Sequence, residues 1–259
     1  MFHLVFCLVF QHKSWFTLRQ SKRGDQYPAK DTVYRFLNYS KFAWRRFFTL
    51  LSAHTIQKVS ELTNADRPKV LIVDDSMYDR NRSKKVELLA RCRDHSSTGK
   101  RFYKGFQMLT LGWSDGATFM PVDFALLSSK KAQMNGISEQ IDKRTSGYKR
   151  RIEALEIAPS LVPNMIDRAL QAGVTAQYVL MGSWFTHAPL VQSVIALGMV
   201  KPTKQHYLVN DRSFSLKELY NVAMPVQGPK DILHSIQVTL KNGVPVKIVF
   251  IQNRNKKSE

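Results

Sequence analysis

The chain has 259 residues, with 39 Lys plus Arg against 20 Asp plus Glu, and a formal net charge of +19. At 44% hydrophobic and 23% charged residues it has the composition of a folded protein with a sizeable core, which excludes wholesale disorder. Its two cysteines, Cys7 and Cys92, are too few for a disulfide framework or a zinc site and point to a reducing compartment.

The charge is the unusual quantity. An excess of this size attracts polyanions, and DNA or RNA comes first, because neutralising phosphates releases counterions and gives sequence-independent affinity. An anionic membrane surface comes second. A membrane span is not expected: the most apolar stretch, Met1–Phe10, is about half the length needed to cross a bilayer. It also lacks a basic leader and a small-residue cleavage site, which argues against a signal peptide. It reads as a buried N-terminal helix, and a chain that opens on such a run suggests that residues once preceded it.

In chain order, residues 1–66 read as a helical region with possible DNA contact. Asp31 is placed to cap a helix over Thr32–Leu37, and apolar residues recur from Tyr34 to Leu51 with Arg45 and Arg46 among them as solvated or phosphate-contacting cations. From Pro68 the character changes. Lys69–Asp75 is a short β-branched run ending in two carboxylates, the pattern of a strand buried on both faces. Residues 80–104 are strongly basic. Phe106–Trp113 and Ala117–Leu127 flank Ser114-Asp115-Gly116 and predict a hairpin. Residues 128–151 form a polar, basic connection with some helix. Pro163–Ala172 predicts a helix stopped by Gly173, Gln177–Met181 a buried strand, and Ala188–Leu197 a helix stopped by Gly198. Strands are expected at 206–209, 236–240 and 245–251, the last two joined through Asn242-Gly243. This order predicts a mixed α/β sheet, with an RNase H-like arrangement among the few folds that fit.

Acidic residues are scarce, so Asp74 and Asp75 at the end of an apolar strand stand out. The carboxyl end of such a strand is where α/β proteins place sites. Phosphodiester chemistry needs carboxylates because Mg²⁺ takes hard oxygen ligands, and two ions about 3.5–4 Å apart can activate the attacking oxygen and stabilise the leaving one. Helix capping and pairing with nearby arginines are the structural alternatives. Phosphate-binding loops, dinucleotide turns, His-Glu-x-x-His helices and Cys-x-x-Cys pairs are absent. Ser183 lies near His187, but no acid partner completes a hydrolase triad.

The segment 70–104 (VLIVDDSMYDRNRSKKVELLARCRDHSSTGKRFYK) resembles the start of the catalytic domain of DDE transposases of the insertion-sequence-4-like group. Residues 105–129 resemble the hairpin that follows, 140–153 (QIDKRTSGYKRRIE) the family's basic insert, 178–185 (YVLMGSWF) its second acidic motif and 30–52 its N-terminal helical region. The resemblance implies an RNase H-like mixed sheet with flanking helices, an inserted β region and an N-terminal helical region. It divides the chain into residues 1–66 and an RNase H-like domain over 67–259. It also implies Mg²⁺ or Mn²⁺ held by Asp, Asp and Glu, and in-line attack of water on a phosphodiester at transposon ends followed by strand transfer into target DNA. The implied partner is DNA, with a homodimer on it and a cytoplasmic, nucleoid-associated location.

Asp75 matches the first catalytic and metal-binding position, with Asp74 as second choice. The second aspartate is replaced by Gly182, and no Tyr-x-x-Arg-x-x-x-Glu motif is present, so the domain is expected to be incomplete at the C-terminus and catalytically inactive. One carboxylate cannot hold two metal ions. The alternatives are a DNA-binding protein without enzymatic role, or a nuclease that combines Asp75 with Asp123 or Asp211. The expected DNA-binding residues are Arg80, Arg82, Lys84, Lys85, Arg91, Lys143, Arg144, Lys149, Arg150 and Arg151. The 256–257 lysine pair is a further basic candidate. Trp113 and Trp184 are expected in the core.

Overall fold

The computed structural model describes residues 17, 19, 20, 22, 24–64, 66–93, 102–182, 185, 190, 196–198, 206–226, 232–241 and 243–251. The readings of Met1–Phe10, Ser183, Trp184, His187 and the 256–257 lysine pair lie outside these residues. Two compact units are formed. One takes the described residues up to Ala43 together with Ser138–Arg151, and the other takes Trp44–Ile137 together with those from Ile152 on.

In the smaller unit, helix α1 (Lys30–Leu37) buries Val33. It begins at Lys30 after Ala29, which offers no capping side chain. Asp31 is therefore not the cap expected from the sequence. It lies inside the first turn, where its charge faces the positive end of the helix dipole. The Gly147 amide donates to the Ser40 carbonyl at 2.8 Å, and a Cβ at 147 would stand 3.0 Å from Ser40 Cα.

The larger unit is built on a six-stranded sheet. Its strands are β1 (Val70–Asp79), β2 (Ala90–Arg93), β3 (Phe102–Ser114), β4 (Phe119–Leu127), β5 (Tyr178–Met181) and β6 (Ala196–Gly198). β1 runs antiparallel to β3 and parallel to β5, and β5 runs parallel to β6. β3 pairs with both β2 and β4, each antiparallel. The β3–β4 hairpin turns where Asp-Gly predicted. The Asp115 carboxylate accepts from the amides of Ala117 and Thr118 and pairs with Arg67.

Two helices flank this sheet. Helix α2 (Trp44–Leu62) buries Thr49, Ser52, Ala53 and Ile56 and lies along β4, where the Thr49 hydroxyl donates to the Val122 carbonyl and Arg45 to that of Phe124. After α3 (Ser146–Glu153), helix α4 (Ala158–Gln171) buries Ala158, Leu161, Val162, Met165, Ile166 and Ala169, a stripe of helical period. α4 starts five residues earlier than its sequence suggested, with Pro163 inside it at the loss of one backbone bond. Gly173 (φ +91°) ends it: its amide reaches Leu170 O and that of Val174 reaches Ala169 O, closing the helix as glycine at this position commonly does. The core between sheet and helices holds Leu71, Val73, Leu109, Leu111, Val162, Met165, Val179 and Met181, with Trp113 fully buried and its indole donating to Thr175 O.

A second, five-stranded sheet follows: β7 (Tyr207–Val209), β8 (Arg212–Phe214), β9 (Met224–Pro225), β10 (Ile232–Thr239) and β11 (Pro245–Ile251), in the order β11-β10-β7-β8 with β9 on β10. Its own core holds Tyr207, Leu219, Val238, Leu240 and Ile248. Asn210 and Asp211, both at positive φ, form the two-residue turn between β7 and β8. Helix α5 (Leu216–Val222) is capped reciprocally by Ser215 and Glu218. The sequence reading missed β2, β8, α5 and β9. It also extended a helix over 196–197, where the structure has β6. The sheet order, with antiparallel strands on one side of β1 and parallel ones on the other, is an RNase H-like mixed α/β fold with flanking helices.

Candidate functional site

Alternation along β1 separates the two carboxylates that the sequence could not. Leu71 and Val73 are buried against the helices, and Asp75 follows them on the same face, half-buried. Asp74 is exposed on the opposite face. Asp75 is the register partner of Leu109, and it accepts a hydrogen bond at Oδ2 from Gln107 Nε2 on β3. Gln107 was not anticipated. Its signal was present: Gln107, Leu109, Leu111 and Trp113 alternate on one face of β3, and the glutamine is the polar member of an apolar row.

The parallel ladder between β1 and β5 pairs Val70 with Tyr178, Leu71 with Val179, Ile72 with Leu180 and Val73 with Met181. Gly182 is the next residue. It leaves β5 beside Asp74 and one position short of Asp75, on strands about 5 Å apart. A Cβ built on Gly182 meets no heavy atom within 4 Å, so a side chain there would enter open space.

The other acids that the sequence offered lie away from Asp75. Asp79, further along β1, accepts at both oxygens from Asn81. Asp123 is fully buried on β4, on the far side of β3 from β1. It pairs with Arg45 Nε at 3.1 Å and with Arg168 at 2.7 Å, and accepts from the Phe124 amide. Arg45 also clasps Glu153 through two hydrogen bonds of 2.6 Å. Burial works against the Arg45 charge, but the hydrogen bond it donates to Glu153 and the charges of Asp123 and Glu153 outweigh it and raise its pKa. Arg45 is thus a buried structural cation rather than the solvated or phosphate-contacting residue that its helix pattern suggested. Asp211 sits in the β7–β8 turn of the second sheet. Among the described residues, no three acidic, His or Cys groups gather where they could share a metal ion.

A pair of divalent ions is what a DDE-type site would require, and the donor set does not fit it. The one inward carboxylate, Asp75, is already bonded by Gln107, and Gly182, which follows the end of β5 beside Asp74, carries no side-chain ligand. No metal-dependent step follows from these residues.

The expected DNA-binding residues fall in both units. Arg80, Arg82, Lys84, Lys85 and Arg91 are all exposed, the first four on the connection between β1 and β2 and Arg91 on β2 itself. In the smaller unit, Lys143, Arg144 and Lys149 are exposed, while Arg150 and Arg151 are half-buried. Arg144 bonds Asp142 and Arg151 donates to Gly147 O, so these two cations are partly occupied. No helix among the described residues is long and apolar enough to cross a membrane.

The solved Drosophila P element transposase strand transfer complex shares 12% identity with the chain over 78% of its length, at a TM-score of 0.29, too low for the likeness to carry weight. The chain spans 44% of the length of that transposase. No curated protein matches it. The family model described as DDE superfamily endonuclease matches residues 13–204, a span that includes β1 with Asp75 and the β5 end with Gly182. By that match over well more than half its length, the chain belongs to the DDE superfamily endonucleases.

Proposed function

We propose that the chain is a transposase-type DNA-binding protein of the insertion-sequence-4-like group whose phosphodiester chemistry has been lost. The observation that carries this reading is the register Val73–Met181, which sets Gly182 beside the Asp74-Asp75 pair on a neighbouring parallel strand. A side-chain ligand is missing at the point where an acidic cradle would close. Losing a ligand from such a site commonly costs orders of magnitude in rate, because the charge that stabilises the transition state goes with it. The retained property is attraction to DNA, supplied by the net charge of +19 and the basic segments around β1, β2 and α3. A pair of chains on transposon-end and target DNA, in the cytoplasm with the nucleoid, belongs to the same reading.

The test is incubation of the purified chain with supercoiled and transposon-end DNA in Mg²⁺ or Mn²⁺, beside Asp75→Ala. Binding without nicking is expected. Robust metal-dependent cleavage that Asp75→Ala abolishes would overturn the loss of chemistry. Absence of salt-sensitive DNA binding would overturn the DNA partner.

A further inference from the structure

The far end of the six-stranded sheet carries aromatic rings and guanidinium groups on one face. Arg91 and Arg93 of β2 are the register partners of Lys104 and Phe102 of β3, and Tyr78 of β1 is the partner of Phe106. Because partners across an antiparallel ladder point to the same side, Tyr78, Phe102, Lys104, Arg91 and Arg93 share that face. Within it the guanidinium carbon of Arg91 lies 4.8 Å from the Phe102 ring centroid, and that of Arg80 lies 4.5 Å from the Tyr78 ring, with the Tyr78 hydroxyl bonded to the same arginine. Phe102 is 47% exposed, and Arg80, Arg91 and Arg93 are exposed. Among the described residues none of these three arginines, nor Lys104, is paired with a carboxylate.

A solvent-facing phenylalanine capped by an arginine contributes little to a core. Its neighbour Phe106, on the same face, is buried with Leu88, Leu89 and Ala154 and supplies the packing there, with Tyr78 half-buried against that cluster and its outer side covered by Arg80. Charge alone would suffice to hold the phosphates of a duplex, and it would not need flat rings. Rings and guanidinium planes at the exposed end of a sheet suit a base that has left its stack, since every base offers a π-face and the cations beside it meet the phosphates. The two aromatic–arginine pairs are offset by four residues along β3, about 13 Å, which corresponds to several base steps.

We propose that this face, with the Phe102–Arg91 and Tyr78–Arg80 pairs at its centre, binds the unpaired bases of a DNA single strand or frayed end. The proposal rests on DNA being the partner and adds the kind of DNA structure that is read.

The experiment uses the full chain and two probes: a blunt duplex, and the same duplex with a single-stranded extension carrying a fluorescent purine analogue. The wild type is expected to bind the extended probe more tightly and to quench the analogue. Phe102→Ala is expected to lose about ten-fold in affinity for the extended probe, with the blunt duplex unaffected and the quench gone. Phe102→Trp, which keeps a π-face, is expected to retain both, and it controls for damage to the fold. Equal binding of the two probes by the wild type, or an undiminished preference in Phe102→Ala, overturns the stacking site and leaves DNA binding standing. Binding of neither probe overturns the proposal together with the DNA partner.

Discussion

Val73 and Met181 face each other as the last partners of the parallel ladder between β1 and β5. The two residues that follow them, Asp74 and Gly182, are therefore neighbours across the sheet at the edge of the regular pairing.

The first prediction concerns position 182 itself. A Cβ added there would stand in open space, so Gly182→Asp meets no steric obstacle and its unfolding free energy should stay within about 0.5 kcal/mol of the wild type. Urea unfolding measures it. The same variant is expected not to nick DNA in Mg²⁺ or Mn²⁺, since a third acidic ligand is still wanting among the described residues.

The second concerns Asp123, buried between Arg45 and Arg168. Asp123→Asn would leave Arg168 without its carboxylate and Arg45 with Glu153 alone. Breaking a buried pair in this way costs about 3 kcal/mol or more. Arg45→Met should cost less, because Asp123 keeps Arg168 and the Phe124 amide. The order of the two midpoints in a denaturant titration is the check. A more stable Asp123→Asn protein would show that the network contributes nothing.

Binding to duplex DNA should weaken steeply with salt. Replacing Arg80, Arg82, Lys84 and Lys85 by serine should flatten the plot of log affinity against log salt by about 0.9 for each phosphate contact removed. Anisotropy across a salt series reads the slope directly. An unchanged slope would move the DNA surface away from the β1–β2 connection.

Acid should loosen the β3–β4 turn. The amides of Thr118 and Ala117 and the Arg67 guanidinium hold the Asp115 carboxyl below its ordinary pKa. A depressed folded-state value means that the stabilisation is complete above the unfolded value of about 4 and disappears as pH falls through the folded one. Glu218, held low by the Ser215 backbone and side chain, acts in the same direction. Asp115→Asn should thus melt with a shallower acid limb than the wild type, measured by thermal unfolding from neutral to acid pH.

Much of the fold was legible because its signals are local. β-branched runs gave β1 and β5, Asp-Gly gave the β3–β4 hairpin, and a helical stripe ending at Gly173 gave α4. What escaped depends on partners distant in sequence. Arg45 reads as a surface cation until β4 brings Asp123 and α3 brings Glu153 to it. Asp74 and Asp75 look equivalent in a run that is apolar on both sides, and only the packing of α2 and α4 on one face separates them. β6 lies in a stretch of apolar residues that suits a helix equally well, and its pairing with β5 settles the matter. β8 is three residues long and is held by its turn with β7 rather than by any pattern of its own.

The docking of α2 on β4 has a further consequence. By donating to the carbonyls of Val122 and Phe124, Thr49 and Arg45 occupy acceptors along a strand border that would otherwise invite a strand from another molecule. A fragment beginning after Leu62 would bare that border together with the apolar surface that Ala53 and Ile56 now cover. Such a fragment is expected to self-associate into insoluble material while the intact chain stays dispersed.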